Sequence, residues 1–572
     1  MKKIFYSLMA VTAVLFASSC EDRLDIPQKG VVSQEDFYIT DADAQSALTS
    51  AYYTMAGYYS QNWPEIGWND SPYLALWSYA SDDMYAAGQN KTDNTSQQEL
   101  NSFRFDNNNP MVSGAYKSYY QAIYPCNLVI DNFDGAKATS DIKKKCVAEA
   151  RVLRAYSYLM LALGWGNPPL IDHCILASER PANCESQEFL LNWVAEECDK
   201  ALPYLDARKS LDDKNSTVKV TKAFAYGIKG KALLSMKKWA DAKSALSNIV
   251  NDTLYQLLPS NRMEDLFHVE GDGNYETVFE FNLVYDASVS GYDARGCRNL
   301  PYLWNWRNDK MLGPDGPGSL YVNTGWGECV PSKKFIDLLI ANDGINSARR
   351  KAWIKTYDEV LYEMPYSSDD SCTTKEMKEG DRNRGITATD GLYGMVGYFP
   401  WKRNIRQTDL APGWGMIKQN FPLMRVPEVY LMYAEACAMQ GETTGKGLEV
   451  LNAIQNRAQS QTVSATLSMD AVKTEKYLEC WLECTRFQDL IRWGDAATEL
   501  ADNGKYLPSY CDAMFTLGEA KHRGYVDESE AQWCLNLYGS KVGFHAGKNE
   551  LFPFPFGETQ INPNIVQNPG WE

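Results

Sequence analysis

The strongest constraint on the fold is the return of apolar residues at helical spacing in several long stretches. Over 143–164, Val147, Val152, Tyr156, Leu159, Met160 and Leu163 fall near the 3.6-residue period. Gly164, Gly166, Pro168 and Pro169 then stop the helix. Over 189–205 the pattern returns with Leu190, Trp193, Val194, Ala201 and Leu202. Two later stretches read as helix pairs: 223–237 with 239–250, and 429–439 with 448–458. Small residues fall where the partners would cross, and short turns separate them, as in a tetratricopeptide hairpin. The period is not continuous along the chain, so divergent pairs joined by insertions are expected rather than a regular solenoid. A chain of 572 residues would by length alone suggest several domains. No Pro/Ser linker, charge block or low-complexity tract divides it, and one large, mainly α domain is expected over 20–572.

Two segments lack evident helical periodicity and concentrate aromatic rings. Residues 52–85 hold ten: Tyr52, Tyr53, Tyr58, Tyr59, Trp63, Trp68, Tyr73, Trp77, Tyr79 and Tyr85. Residues 282–332 hold seven aromatics among seven glycines. That glycine density predicts ordered loop or short strands.

The N-terminus predicts export. Met1-Lys2-Lys3, an apolar run over 4–17 and Ser18-Ser19 form a secretory signal, expected over 1–19. The run is shorter than the roughly 20 residues that span a bilayer. Cys20 directly after the small residues resembles a bacterial lipobox, in which this cysteine is acylated and becomes the mature N-terminus. The formal net charge of −17 disfavours nucleic acid, whose phosphates such a surface repels. The 13 cysteines that remain beside Cys20 form no C-x-x-C pair, and only four histidines are present, so no zinc site is expected. Most read as small buried apolar residues, with room for one or two disulfides. Cys480 and Cys484 are spaced to share one face of a helix.

Several motifs, in order, carry a family resemblance. They begin with Cys20-Glu21-Asp22-Arg23-Leu24-Asp25-Ile26-Pro27, Phe37, Thr40-Asp41-Ala42-Asp43-Ala44 and Ala51-Tyr52. Ser81-Asp82-Asp83 follows, then Glu149-Ala150-Arg151-Val152-Leu153-Arg154-Ala155-Tyr156 through Gly164 to Pro169-Leu170. Arg425-Val426-Pro427-Glu428-Val429-Tyr430-Leu431-Met432-Tyr433-Ala434-Glu435-Ala436 comes next, then Asp489-Leu490-Ile491-Arg492-Trp493-Gly494. The ending holds Asn562-Pro563-Asn564 and Gln567-Asn568-Pro569-Gly570-Trp571. Together they resemble the SusD-like (RagB-type) lipoproteins over the whole mature chain. One departure is Glu483-Cys484-Thr485-Arg486, where the family usually has Gly after Glu; a local packing change is expected there. The resemblance implies a mainly α SusD-like fold, with tetratricopeptide-like pairs packed against an irregular, loop-rich half. It implies surface display on the outer membrane in Bacteroidetes and non-catalytic capture of oligo- or polysaccharide. It also implies a SusC-like TonB-dependent transporter as partner. Glu21, Asp22 and Asp25 fit the acidic stretch that marks surface export in that phylum.

The family motifs are scaffold, so the ligand residues have to come from chemistry. A sugar ring offers an apolar C–H face and a hydroxyl rim, and needs an aromatic plane with polar side chains beside it. Tyr302, Trp304 and Trp306 alternate with Leu303 and Asn305; in an extended segment they share one face, next to Arg307 and Asn308. Trp326 lies between Gly325 and Gly327, which would let a ligand approach closely. Trp68 and Tyr85 are further candidates in the early aromatic segment. Each of these rings could instead seal the loops against the helices. Asp82 and Asp83 could accept hydroxyls or help bind calcium, or serve as a cap or structural hydrogen-bond partner; no other cofactor is expected. Arg425 and Glu435 read as scaffold.

Two other classes share the size and acidity. An all-helical glycoside hydrolase needs two carboxylates about 5–9.5 Å apart, a pairing that any chain with 73 acidic residues contains. No G-x-S-x-G, H-E-x-x-H or P-loop motif is present. A helical-repeat adaptor for protein partners explains the helix pairs but leaves the aromatic loops without a role.

Overall fold

The computed structural model describes residues 37–60, 72–86, 95–282, 304–305, 325, 327–356, 359, 398–411, 417–504 and 542–572. In chain order the first half carries α1 (Asp41–Ser60), α2 (Pro72–Tyr79), β1 (Met84–Ala86), α3 (Thr95–Asn101), α4 (Pro110–Phe133), α5 (Asp141–Trp165), α6 (Gln187–Ala201), α7 (Lys222–Ser235), α8 (Trp239–Val250) and β2 (Thr277–Phe281). The second half carries β3 (Cys329–Pro331), α9 (Lys333–Asp343), α10 (Ala348–Trp353), β4 (Ile354–Thr356), β5 (Tyr398–Pro400), β6 (Phe421–Arg425), α11 (Val426–Met439), α12 (Lys446–Ala458), α13 (Met469–Glu479), α14 (Arg486–Trp493), α15 (Ala496–Glu499) and α16 (Phe556–Ile561). Among the described residues no helix is long and apolar enough to cross a membrane.

The fold is mainly α, and its helices start and stop for local reasons. Ser140 opens α5 by accepting from the Lys143 amide, and Gly166, at φ 73°, closes it. α5 is buried nearly all round between α4 and α6. The two expected helix pairs are α7–α8 and α11–α12. Each has a glycine at the crossing: a Cβ on Gly230 would lie 2.4 Å from Leu246 Cδ2, and one on Gly447 would lie 2.8 Å from Cys437 Cβ. α8 also packs on α11, which joins the two pairs through one core.

Among the described residues the strands form three short antiparallel ladders, β1–β3, β2–β6 and β4–β5, each joining segments distant in sequence. Arg425, the last residue of β6, enters a buried charge network. Its guanidinium meets Glu276 (Nη1–Oε1 2.5 Å), Glu479 (Nη2–Oε1 3.1 Å) and Glu483 (Nε–Oε2 2.8 Å). Arg457 shares Glu276 and Glu479, while Arg349 meets Asp343, Glu475 and Glu479. Glu435 is fully buried and ion-paired to Arg492. Both Arg425 and Glu435 are therefore internal ties.

Two expectations about local structure fail. Among the described residues of 52–85, 52–60 and 72–79 are helical, and α1 buries Ala44, Ala47, Leu48, Ala51 and Met55 at helical spacing. Small residues carry its period, and the tyrosines conceal it. Cys480 and Cys484 do not share a helix: α13 ends at Glu479, and Cys484 sits in the following turn at φ 65°. That is the left-handed region glycine favours, so the cysteine at this position sits in a strained backbone. The described cysteines, Cys126, Cys146, Cys174, Cys184, Cys198, Cys329, Cys437, Cys480 and Cys484, are all free thiols and mostly buried.

Candidate functional site

Two segments meet the Trp304–Asn305 stretch, one at Gly327 and one after β5. Close to Gly327 in sequence, the β1–β3 ladder pairs Tyr85 with Val330. The Gly327 amide donates to the Asn305 carbonyl (2.9 Å), and the Ile405 amide donates to Asn305 Oδ1 (3.3 Å). The segment after β5 then lays the Arg403 guanidinium over the Trp304 ring, 5.1 Å from its centroid. The same guanidinium lies 4.5 Å from the ring centroids of both Phe267 and Phe421.

These contacts correct the reading of Trp304. It is helical rather than extended, and fully buried, so it offers no plane to a sugar. Asn305 anchors the segment on both sides, and Arg403 covers the indole. Tyr85 is half-buried. Tyr302, Trp306, Arg307, Trp326 and Trp68 lie outside the described residues, as does Cys20.

The Ser-Asp-Asp element just before Tyr85 is structural. Arg486 grips Asp82 with two bonds, Nε–Oδ1 2.7 Å and Nη2–Oδ2 2.9 Å, and Lys334 Nζ adds a third at 2.6 Å. Burial opposes ionisation, but the Arg486 and Lys334 charges override it and hold Asp82 down at about 2. The Asp82 carboxyl is thereby committed to cations of the chain itself, which removes it as a calcium ligand, and it caps no helix. Its carbonyl accepts from the Ser332 and Tyr477 hydroxyls, and that of Asp83 from the Trp481 indole. The Asp83 carboxyl is buried without a well-formed hydrogen bond, and burial together with the Asp82 charge pushes it up to about 8. This cluster pins β1 to β3 and so fixes Tyr85 opposite Val330.

Arg403 was not among the expected residues. The only local signal is the cation pair after an aromatic in Trp401-Lys402-Arg403. Its neighbour Lys402 is spent on the Glu479 and Trp481 carbonyls and on Glu483. A polar cleft of about 330 Å³ also lies between α6, α7 and α8, lined by Glu196, Asp199, Tyr226, Lys229 and Asp241 among others. None of the expected ligand residues lines it.

A mainly α scaffold of helix pairs, with small strand ladders pinning aromatic loop segments, is the class this architecture defines. The SusD family model matches residues 302–571, and a second model, described as starch-binding and associating with the outer membrane, matches 78–234. A SusD-like protein of Bacteroides ovatus is 24% identical over 91% of this chain and 85% of its own length. SusD-like protein P25 of Formosa agariphila is 21% identical over 86% of this chain and 90% of its own. Among solved structures, a laminarin-binding SusD-like protein superposes with a TM-score of 0.68 at 24% identity, covering 93% of this chain and all of that one. Surface glycan-binding protein A of Bacteroides thetaiotaomicron, in complex with laminarihexaose, also gives 0.68, at 20% identity over 92% of this chain and 99% of its own. The chain belongs to the SusD-like family and has its fold.

Proposed function

We propose that the protein is a non-catalytic cell-surface glycan binder, tethered to the outer membrane through acylated Cys20, that delivers oligo- or polysaccharide to a SusC-like TonB-dependent transporter. One observation carries most of this reading: the fold matches, nearly end to end, a surface protein solved with laminarihexaose bound. The description of the second family model, starch-binding and associating with the outer membrane, supports the same ligand class and location. Tyr302, Trp306, Arg307, Trp326 and Trp68 remain the residues assigned to the sugar on sequence grounds. Tyr85, half-buried, stays in that set, and Trp304, fully buried, is withdrawn from it. Two acyl chains or more on Cys20 give stable anchoring. The tether also raises the binder's effective concentration at its transporter.

Electrophoresis in native gels, each cast with a single polysaccharide, tests the ligand class. Retarded migration in at least one gel is expected, and free migration in all of them would reject glycan binding. Co-purification from membranes tests the partner. The account expects a large β-barrel transporter to come down with the wild-type chain, and its absence would remove the delivery role.

A further inference from the structure

We infer that the cleft between α6, α7 and α8 is a second glycan subsite, which takes a short stretch of neutral sugar chain away from the aromatic loops. The inference rests on the glycan-binding reading for its ligand class and adds a site which that reading does not contain. α7 packs against both α6 and α8 and lines the bottom of the cleft. Tyr226, Lys229 and Leu233 fall at i, i+3 and i+7 on α7, so a single stripe about 10 Å long runs along that bottom. Buried Ala195 and Ala245 flank the stripe from the neighbouring helices, and their small side chains leave a hollow of about 330 Å³ above it. That volume lies at the lower end of the range for small-molecule sites, about 300–1,000 Å³. The rims are exposed side chains of α6 and α8, and the hollow opens to solvent between them.

The lining supplies an aromatic ring with donors and acceptors beside it, as a sugar requires. Tyr226 is half-buried, and its hydroxyl has no hydrogen-bond partner among the described residues. Glu196 on α6 and Asp241 on α8 are exposed carboxylates that, among the described residues, face no cation. Two amides are half committed. Asn192 Oδ1 accepts from Lys238 Nζ at 2.7 Å, which leaves its NH2 group to donate. Asn248 Nδ2 is spent on the Ser244 and Ala245 carbonyls (3.1 and 3.0 Å), which leaves its Oδ1 to accept. Lys229 Nζ donates to Asp199 Oδ1 at 2.5 Å and keeps two further hydrogens. One cleft thus offers both senses of hydrogen bond, which matches hydroxyls that donate and accept at once. The charge sets the ligand class. Three carboxylates in the lining stand against one ammonium, and Lys238 at the edge is balanced by Glu188 (3.9 Å). Uronic and sulfated chains are therefore repelled and neutral ones are not. A second site on one polymer raises its retention through effective concentration, with no new contact at the first site.

Native gels of the full mature chain test it, cast with laminarin, amylopectin, xyloglucan or galactomannan, and with polygalacturonate as the acidic comparison. In the neutral gel that retards the wild type most, Tyr226→Ala should cut retention several-fold at a nearly unchanged melting temperature. Asp241→Ala, at an exposed position, should act in the same direction, which covers the case that the tyrosine variant does not fold. Calorimetry with the hexasaccharide cut from that polymer separates the sites. The wild type should bind two per chain, and each variant should keep one at unchanged affinity. Wild-type retention in both variants, or one hexasaccharide per wild-type chain, would overturn the inference and leave the glycan reading standing. Retardation by polygalacturonate alone would overturn it too, because the ligand class would be acidic. Free migration of the wild type in every gel would take down the glycan reading as well.

Discussion

Asp82 and Arg486 stand 404 residues apart in sequence and are joined by two parallel hydrogen bonds of 2.7 and 2.9 Å. That bond fastens the residues just before β1 to the start of α14. Both residues are buried, and removing one partner of a buried pair costs about 3–5 kcal/mol. Arg486→Met should lower the unfolding free energy in urea by that order, and a loss below about 1 kcal/mol would show that the pair does not hold these two segments together.

The same pair predicts an acid limb. Asp82 titrates near 2 when folded, below its ordinary value of 3.8. The stability it contributes is therefore present above pH 4 and lost as pH falls from about 4 to about 2, amounting to about 2 kcal/mol. Asp82→Asn should lack that part of the acid limb in pH-dependent denaturation. An unchanged acid limb in the variant would contradict the assignment.

Asp83 acts in the opposite sense. Its folded value of about 8 lies above 3.8, so the folded state holds a proton that the unfolded chain releases. Stability from this group falls as pH rises from about 4 to about 8 and is level above that. The pH profile of Asp83→Asn should be flatter than the wild-type profile across that window; parallel profiles would mean that the carboxyl is ionised in the fold.

Cys484 occupies a left-handed backbone position at φ 65°. A non-glycine residue there is strained by about 1–3 kcal/mol. Cys484→Ala removes the buried sulfur and keeps the strain, whereas Cys484→Gly removes more atoms and relieves it. The glycine variant should thus melt higher than the alanine variant, and the reverse order would show that packing outweighs backbone strain at this turn.

Trp304 and Trp306 should separate in their effects. Trp304 is fully buried, so Trp304→Ala should cost about 3–5 kcal/mol of stability. Trp306→Ala, on the proposed glycan role, should weaken polysaccharide retention at a nearly unchanged melting temperature. Equal stability losses would place both rings in the core.

The parts of the fold that could be read from sequence are those whose burial follows a regular period. α6, α7, α8 and α12 have an apolar stripe with polar residues opposite, α5 and α11 are apolar nearly all round, and the observed bounds lie close to the expected ones. α1 went unread because its stripe is built from alanines, while the conspicuous Tyr53 faces solvent, 54% exposed. Trp304 looked like a platform because alternation identifies a shared face in an extended chain, and the residue is in fact helical. Only the run Trp401-Lys402-Arg403 marked Arg403 in the sequence. What distinguishes it is that among the described residues it forms no ion pair, a property of the assembled core and not of any neighbour along the chain. Asp82 and Asp83 look interchangeable in sequence, yet in the fold the Arg486 and Lys334 charges hold Asp82 near 2, while burial and the Asp82 charge push Asp83 up to about 8.

The claim that this protein captures glycan without cleaving it is tested most directly by following binding and product in one sample. The purified mature chain is titrated with the polysaccharide that retards it most in native gels, while reducing ends are assayed over the following day. A saturating binding isotherm with a flat reducing-end signal is the predicted result. A steady rise in reducing ends proportional to protein concentration would contradict it and make the protein a hydrolase.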